Sequence, residues 1–270
     1  MTRTRGRDSG KETLALDVAA LRQRLGPAKV ALIEQWIREI NGPLNAIIAR
    51  HMHPTALVLD AGCSRGDPDL PALLAGRYTV GCDMDLLGLR ANELAHGVVL
   101  APLGKLPFPD NTFDLIACKW VLEHLEQPEI DLGECRRVLK PGGTFIALTP
   151  NAYSAFTLIS RFIPYRLKQI LKGNMFGVHE EDTFRTWYRA NSRGRLARLA
   201  RSVHFETEHL EFLPGMWTFF IFVPFLARLV RRLEDWQRQI PAARGALTYI
   251  IGVWKKPGDM NAMDAVDQGD

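Results

Sequence analysis

A chain of 270 residues that is 47% hydrophobic can bury a full core in one domain with an elaboration attached, and 24% charged residues with a net charge of +4 is ordinary for a soluble globular protein. Residues 1–12 are polar and basic with no apolar run behind them, so no secretory leader is expected and the cytoplasm is the expected compartment. Cys63, Cys82, Cys118 and Cys135 lie far apart, with no Cys-x-x-Cys pair and no nearby histidine cluster; this speaks against any metal site or disulfide framework, and for small buried side chains in a reducing compartment.

Residues 13–53 read as helix, because Leu32, Ile33, Trp36, Ile37 and Ile40 recur at steps of three and four and form one apolar stripe. The pattern then changes to short apolar runs at 55–61 (TALVLDA), 78–83 (YTVGCD), 97–101 (GVVLA), 113–119 (FDLIACK) and 143–150 (GTFIALTP). Runs of that length suit strands covered on both faces, as in a parallel sheet. Helices are expected at 86–94 and 129–139, the second stopped by Lys140-Pro141-Gly142-Gly143, which turns the chain. Strand–helix alternation of this kind predicts a doubly wound α/β sheet. After residue 151 the alternation loosens, leaving a basic helix at 193–202, a strand at 204–213, an apolar run within 215–238 and a last strand at 246–255.

Charge is uneven along the chain. Residues 151–256 hold 17 Lys and Arg against 8 Asp and Glu, whereas residues 259–270 are acidic. A basic C-terminal half suits an anionic substrate, a membrane surface or nucleic acid, and equally a set of solvated helix faces. Arg193, Arg195, Arg198 and Arg201, at steps of two or three, could follow phosphates, but no RNA-binding module accompanies them, and a solvated face is the expected reading.

Asp60-Ala61-Gly62-Cys63-Ser64-Arg65-Gly66 follows the first strand directly. Glycines let a backbone turn tightly and approach a ligand. Asp83, at the end of the next strand, suits a ribose diol, since a carboxylate accepts from both hydroxyls. Where a dinucleotide fingerprint needs glycines, this turn has Ser64 and Asp67, with Asp69 after them; the acids oppose a pyrophosphate and favour the cationic S-adenosylmethionine. The same residues match G-x-S-x-G, the hydrolase nucleophile elbow, but that fold places several strands before the serine and only one precedes Ser64.

Residues 58–66 (VLDAGCSRG), 80–85 (VGCDMD), 106–125 (LPFPDNTFDLIACKWVLEHL) and 134–151 (ECRRVLKPGGTFIALTPN) resemble, in order and spacing, class I S-adenosylmethionine-dependent methyltransferases of the small-molecule type, similar to the ubiquinone/menaquinone-pathway enzymes (methyltransferase type 11). The resemblance covers about residues 55–151, with a looser echo at 186–205 and in the last strand. It implies a Rossmann-like seven-stranded sheet, mostly parallel with an antiparallel last strand. The methyltransferase domain would span 55–256, with substrate-side insertions at 151–192 and 214–243. It would be preceded by a disordered basic segment (1–12) and helices (13–54), and followed by a disordered acidic tail (257–270).

Carried over residue by residue, the resemblance implies that Asp60, Ala61, Gly62 and Ser64 line the methionine part of S-adenosyl-L-methionine. Asp83 would bind its ribose, Met84 would pack on the adenine, and Lys119 would offer its backbone near the methionine moiety. The acid that often contacts adenine is replaced by Pro102, leaving packing and backbone contacts from Leu103. That departure keeps open a second reading, a non-catalytic donor-binding or membrane-associated protein of the same fold.

The acceptor, expected to be a small and lipophilic molecule, would sit beyond the carboxyl ends of the strands. Glu123 and His124 follow the fourth strand, and one of them is expected to assist the reaction, with His179 and Tyr188 as weaker rivals. Residues 216–227 (MWTFFIFVPFLA) carry no charge but fall short of the roughly 20 residues a bilayer span needs. With Arg228, Arg231 and Arg232 after them, they suit peripheral membrane contact through 216–232, a lid over a lipophilic substrate, or an ordinary core helix. The oligomeric state is not legible.

Overall fold

The computed structural model describes residues 27–66, 77–162, 185–220 and 223–258. Of the segments expected to be disordered, 1–12 lies wholly outside these residues and 257–270 does so from residue 259 on, and His179 lies outside them as well.

Helix α1 (Pro27–His51) leads into strand β1 (Leu57–Ala61). Then come β2 (Tyr78–Asp83), α2 (Leu86–Ala91), β3 (Gly97–Leu100), β4 (Phe113–Lys119), α3 (Pro128–Val138), β5 (Leu139–Pro150) and α4 (Ala155–Phe162). The second half adds α5 (Arg193–Ser202), β6 (Glu206–Leu213), α6 (Pro224–Gln239) and β7 (Tyr249–Lys255). Seven strands form one sheet in the order β3-β2-β1-β4-β5-β7-β6. β1 to β5 are parallel, and β7 runs antiparallel to both β5 and β6. This is the doubly wound, mostly parallel sheet with an antiparallel last strand that the sequence predicts.

The apolar runs become strands because alternate residues face opposite layers, and both layers are dry. Leu59, Ile116, Cys118, Phe145, Ala147 and Ile250 pack with Leu132, Cys135 and Val138 of α3 and Leu196 and Leu199 of α5. Their neighbours Val58, Leu115, Ala117, Ile146, Leu148 and Val253 face the other way, onto Ile40, Leu44, Ile47 and Ile48 of α1. Of the predicted stripe, Ile40 lies in this core, which continues along α1 through Leu44, Ile47 and Ile48.

One expectation is corrected. Lys140-Pro141-Gly142-Gly143 follows the end of α3, yet it does not turn the chain into a new element. Leu139 already pairs with Phe113, and pairing resumes at Leu115 with Thr144, so the four residues are a bulge inside β5. Gly142, at φ +76°, donates its N–H to Lys256 O at 2.9 Å, which ties the bulge to the residue after β7.

The parallel register brings the carboxyl ends of β1, β2, β3, β4 and β5 to one edge. Pro150 pairs with Tyr249, so the chain between β6 and β7 reaches that same edge.

Candidate active site

The turn after β1 is held by its own backbone and by its neighbours. Gly62, Ser64 and Gly66 have φ of +79°, +39° and +88°. Gly62 N and Cys63 N both donate to Cys82 O, at 2.7 and 3.2 Å, which pins the turn to the end of β2. A Cβ on Gly62 would lie 2.1 Å from Val121 Cγ2, so glycine is required there both for its dihedral and for the close approach of the segment after β4.

Asp83 is the hub. Ser64 N donates to its Oδ2 at 2.8 Å and Asp85 N to its Oδ1 at 2.8 Å. Each carboxylate oxygen has two acceptor sites, so one on each remains for a pair of hydroxyls. Asp85 caps α2 by accepting from Leu87 N, and Ser64 Oγ donates to its Oδ2 at 3.4 Å. Asn92 Nδ2 donates to Ser64 O at 3.1 Å and closes the frame. Ser64 is thus a turn residue tied to carboxylates, an environment that leaves no support for the nucleophile-elbow reading.

The local field is negative. Burial, then Asp60 and Asp83, push the Cys63 thiol up, and burial with Asp83 pushes Cys82 up to about 11. Both therefore stay neutral thiols. Carboxylates ringed around a glycine turn suit a nucleoside carrying cationic groups and repel a pyrophosphate.

Met84 is exposed beside Asp83. Leu103 turns its side chain into the core, so only its backbone remains for an adenine. Lys119 closes β4, and Trp120 follows with φ +60°, its N–H donating to Leu148 O at 2.9 Å and its ring edge-on to Tyr249 at 5.0 Å.

The two residues expected to assist chemistry part company here. Glu123 is buried and accepts from Thr149 Oγ1 at 2.9 Å, and Asn191 Nδ2 donates to the same hydroxyl at 2.5 Å. Burial pushes the Glu123 carboxyl up to about 7. Its carbonyl accepts from Trp187 N and Tyr188 N, at 2.7 and 3.1 Å, so this residue pins the segment that crosses the strand ends. His124 is partly exposed, and its Nδ1 lies 3.0 Å from Arg185 O. Thr149 and Asn191 escape sequence reasoning, as do Val121, Asp85 and Asn92. An Asp immediately before an apolar helix start is the one signal that could have found Asp85 as a cap.

Arg195 and Arg198 of α5, with Trp187 and Arg189, line a groove of about 610 Å³ that shares no residue with the donor turn. The uncharged run 216–227 divides. Met216–Phe220 forms a short 3-10 turn with Trp217 and Thr218 buried, and residues 224–227 begin α6. Among the described residues no helix is long and apolar enough to cross a membrane.

A doubly wound sheet whose first turn is glycine-rich and whose second strand ends in a carboxylate defines a class of nucleoside-binding α/β proteins. A family model described as "Methyltransferase domain" matches residues 59–147, the segment that carries that turn and carboxylate. Demethylmenaquinone methyltransferase from Streptomyces avermitilis is 34% identical over 114 residues, 41% of this chain and 47% of the relative. The enzyme of the same name from Streptomyces griseus is 30% identical over 162 residues, 56% of this chain and 68% of the relative. Several of the matched relatives are covered over only about half their length or less, 47% for the first of these. Geranyl diphosphate C-methyltransferase from Streptomyces coelicolor, solved with geranyl diphosphate and S-adenosyl-L-homocysteine, superposes with a TM-score of 0.54 at 15% identity, over 89% of this chain and 88% of that one. At that identity the likeness is one of fold. The chain belongs to the S-adenosylmethionine-dependent methyltransferase family.

Proposed function

We propose that this chain transfers a methyl group from S-adenosyl-L-methionine to a small, lipophilic acceptor reached at a membrane surface. The observation that carries the donor half is Asp83, whose two oxygens are each oriented by a backbone N–H beside the Gly62 turn. Asp60, Ala61, Gly62 and Ser64 would hold the methionine part, Asp83 the ribose and Met84 an adenine face, with backbone contacts from Leu103 and Lys119. The donor supplies an electrophilic methyl group; the chain's own residues align the acceptor and exclude water.

Support for an apolar acceptor comes from the ring pair Trp120–Tyr249 at the carboxyl edge and from the stack of Phe156, in the helix that follows β5, on Phe219. The quinone for which the two Streptomyces relatives are named supports the same class. His124 takes the proton of a hydroxyl acceptor, and Glu123, turned inward, positions the crossing segment.

Calorimetry with S-adenosylmethionine tests the donor site. Asp83→Asn keeps the shape and removes the charge, and affinity should fall by about 1.5–3 kcal/mol, the scale of hydrogen bonds to a charged acceptor. Unchanged affinity removes the ribose assignment. Release of S-adenosylhomocysteine with a cell lipid extract, against buffer alone, tests turnover. Donor binding without release would leave the non-catalytic reading.

A further inference from the structure

The outward face of α6 is apolar. Phe225, Leu229, Leu233 and Trp236 recur at steps of four, four and three, which places them on one face of the helix, and each is between 44% and 77% exposed. The inward face is fixed independently: Ala227, Val230 and Glu234 are buried, and the Glu234 carboxylate accepts from Gly215, Met216 and Trp217 N–H groups. The helix cannot roll to hide its stripe without breaking that anchor. Arg228 and Arg232, both exposed, edge the stripe, while Arg231, on the same side but nearer the buried face, pairs with Glu39 of α1.

We infer that this face of α6 lies on an anionic lipid surface. A helix with a fixed buried side, an apolar outer stripe and guanidinium groups along its margin matches the membrane–water boundary, where apolar side chains enter the acyl region and cations meet headgroup phosphates. Its place in the fold agrees. α6 lies between β6 and β7, and the Leu213–Tyr249 and Pro150–Tyr249 pairs put both ends of that connection at the carboxyl edge, where the acceptor must enter. Docking by α6 turns the acceptor edge toward the lipid. The inference deepens the peripheral contact proposed above and moves it from the uncharged run to residues 225–236.

Co-sedimentation with vesicles of equal parts phosphatidylglycerol and phosphatidylcholine, against phosphatidylcholine alone, provides the test, with the full chain and a parallel donor titration. The chain should prefer the anionic vesicles and lose that preference in high salt. Arg228→Gln with Arg232→Gln should weaken anionic binding about twenty-five-fold, taking about fivefold for each basic residue at such a surface. Leu229→Ser with Leu233→Ser should cost about tenfold or more on either vesicle. Variants that bind like the parent overturn the inference, as does a chain that stays in the supernatant. So does a dimer in ultracentrifugation that the serine variant disperses, since a second copy would then cover the stripe. Lost vesicle binding with intact donor binding sinks the docking alone; vesicle binding without donor binding sinks the methyltransferase reading alone.

Discussion

Replacing Glu234 with alanine removes four acceptor interactions at once. Its side chain is 2% exposed; Oε1 accepts from Gly215 N at 2.9 Å, Met216 N at 3.0 Å and Thr248 Oγ1 at 2.8 Å, and Oε2 from Trp217 N at 3.3 Å. A buried donor left unpaired costs roughly 1–3 kcal/mol, and water entering the vacated volume recovers part of the sum, so Glu234→Ala should lose about 3–5 kcal/mol. Glu234→Gln separates the contributions. Its carbonyl oxygen can keep the three Oε1 partners while its amide faces Trp217 N, one donor against another, so the loss should be about 1–2 kcal/mol. Urea denaturation reads both as shifts of the midpoint at constant slope, and the alanine variant should melt about 10 °C lower. An alanine variant within about 1 kcal/mol of the parent, or a glutamine variant as unstable as the alanine one, would refute the anchor.

Two further expectations concern the candidate site. The Glu123 carboxyl is raised to about 7 by burial, so between the unfolded value near 4.5 and about 7 the folded state binds the extra proton. Its contribution is therefore fully present below about 4.5 and falls by roughly 3 kcal/mol as pH rises to 7; Glu123→Gln should flatten that slope in a series of denaturation curves, and an unchanged slope would place the titration elsewhere. Gly62→Ala puts a methyl 2.1 Å from Val121 Cγ2 and should abolish donor binding. Adding Val121→Ala should restore part of it, with about 1–2 kcal/mol of left-handed strain remaining; no rescue would mean that the dihedral alone decides.

The strands were legible because the central ones are apolar on both faces, so 78–83 and 113–119 agree with β2 and β4 to the residue. Ends set by the hydrogen-bond ladder were less so. Proline and two glycines at 141–143 read as a turn, and only pairing to β4 and β7 shows them to be a bulge. The donor turn could be read from Gly62 and Asp83 because those residue types carry the requirement themselves. Thr149 and Asn191 could not, since their role exists only through Glu123, 26 residues before the threonine and 68 before the asparagine. The uncharged run 216–227 left membrane contact, a lid and a core helix open; that the buried side of α6 centres on a glutamate while Leu229 and Leu233 are exposed goes with the anchor to residues 215–217.

The position of β7 has a consequence for how the chain is made. β7 lies between β5 and β6 although it is synthesised after both, so β5 emerges with one edge open and β6 emerges with no neighbour to pair with. From residue 150 to residue 249 the ribosome needs about 5–20 s at roughly 5–20 residues per second. Over that interval the outer edge of Phe145–Ile146–Ala147–Leu148 offers unpaired backbone to any passing strand. β6 is the nearest candidate in the same chain, and its Glu206, Glu208 and Glu211 make it a poor match for so apolar an edge. The charged strand is thereby a poor substitute for β7, and the open edge of β5 gains its native partner only when Tyr249–Lys255 arrives.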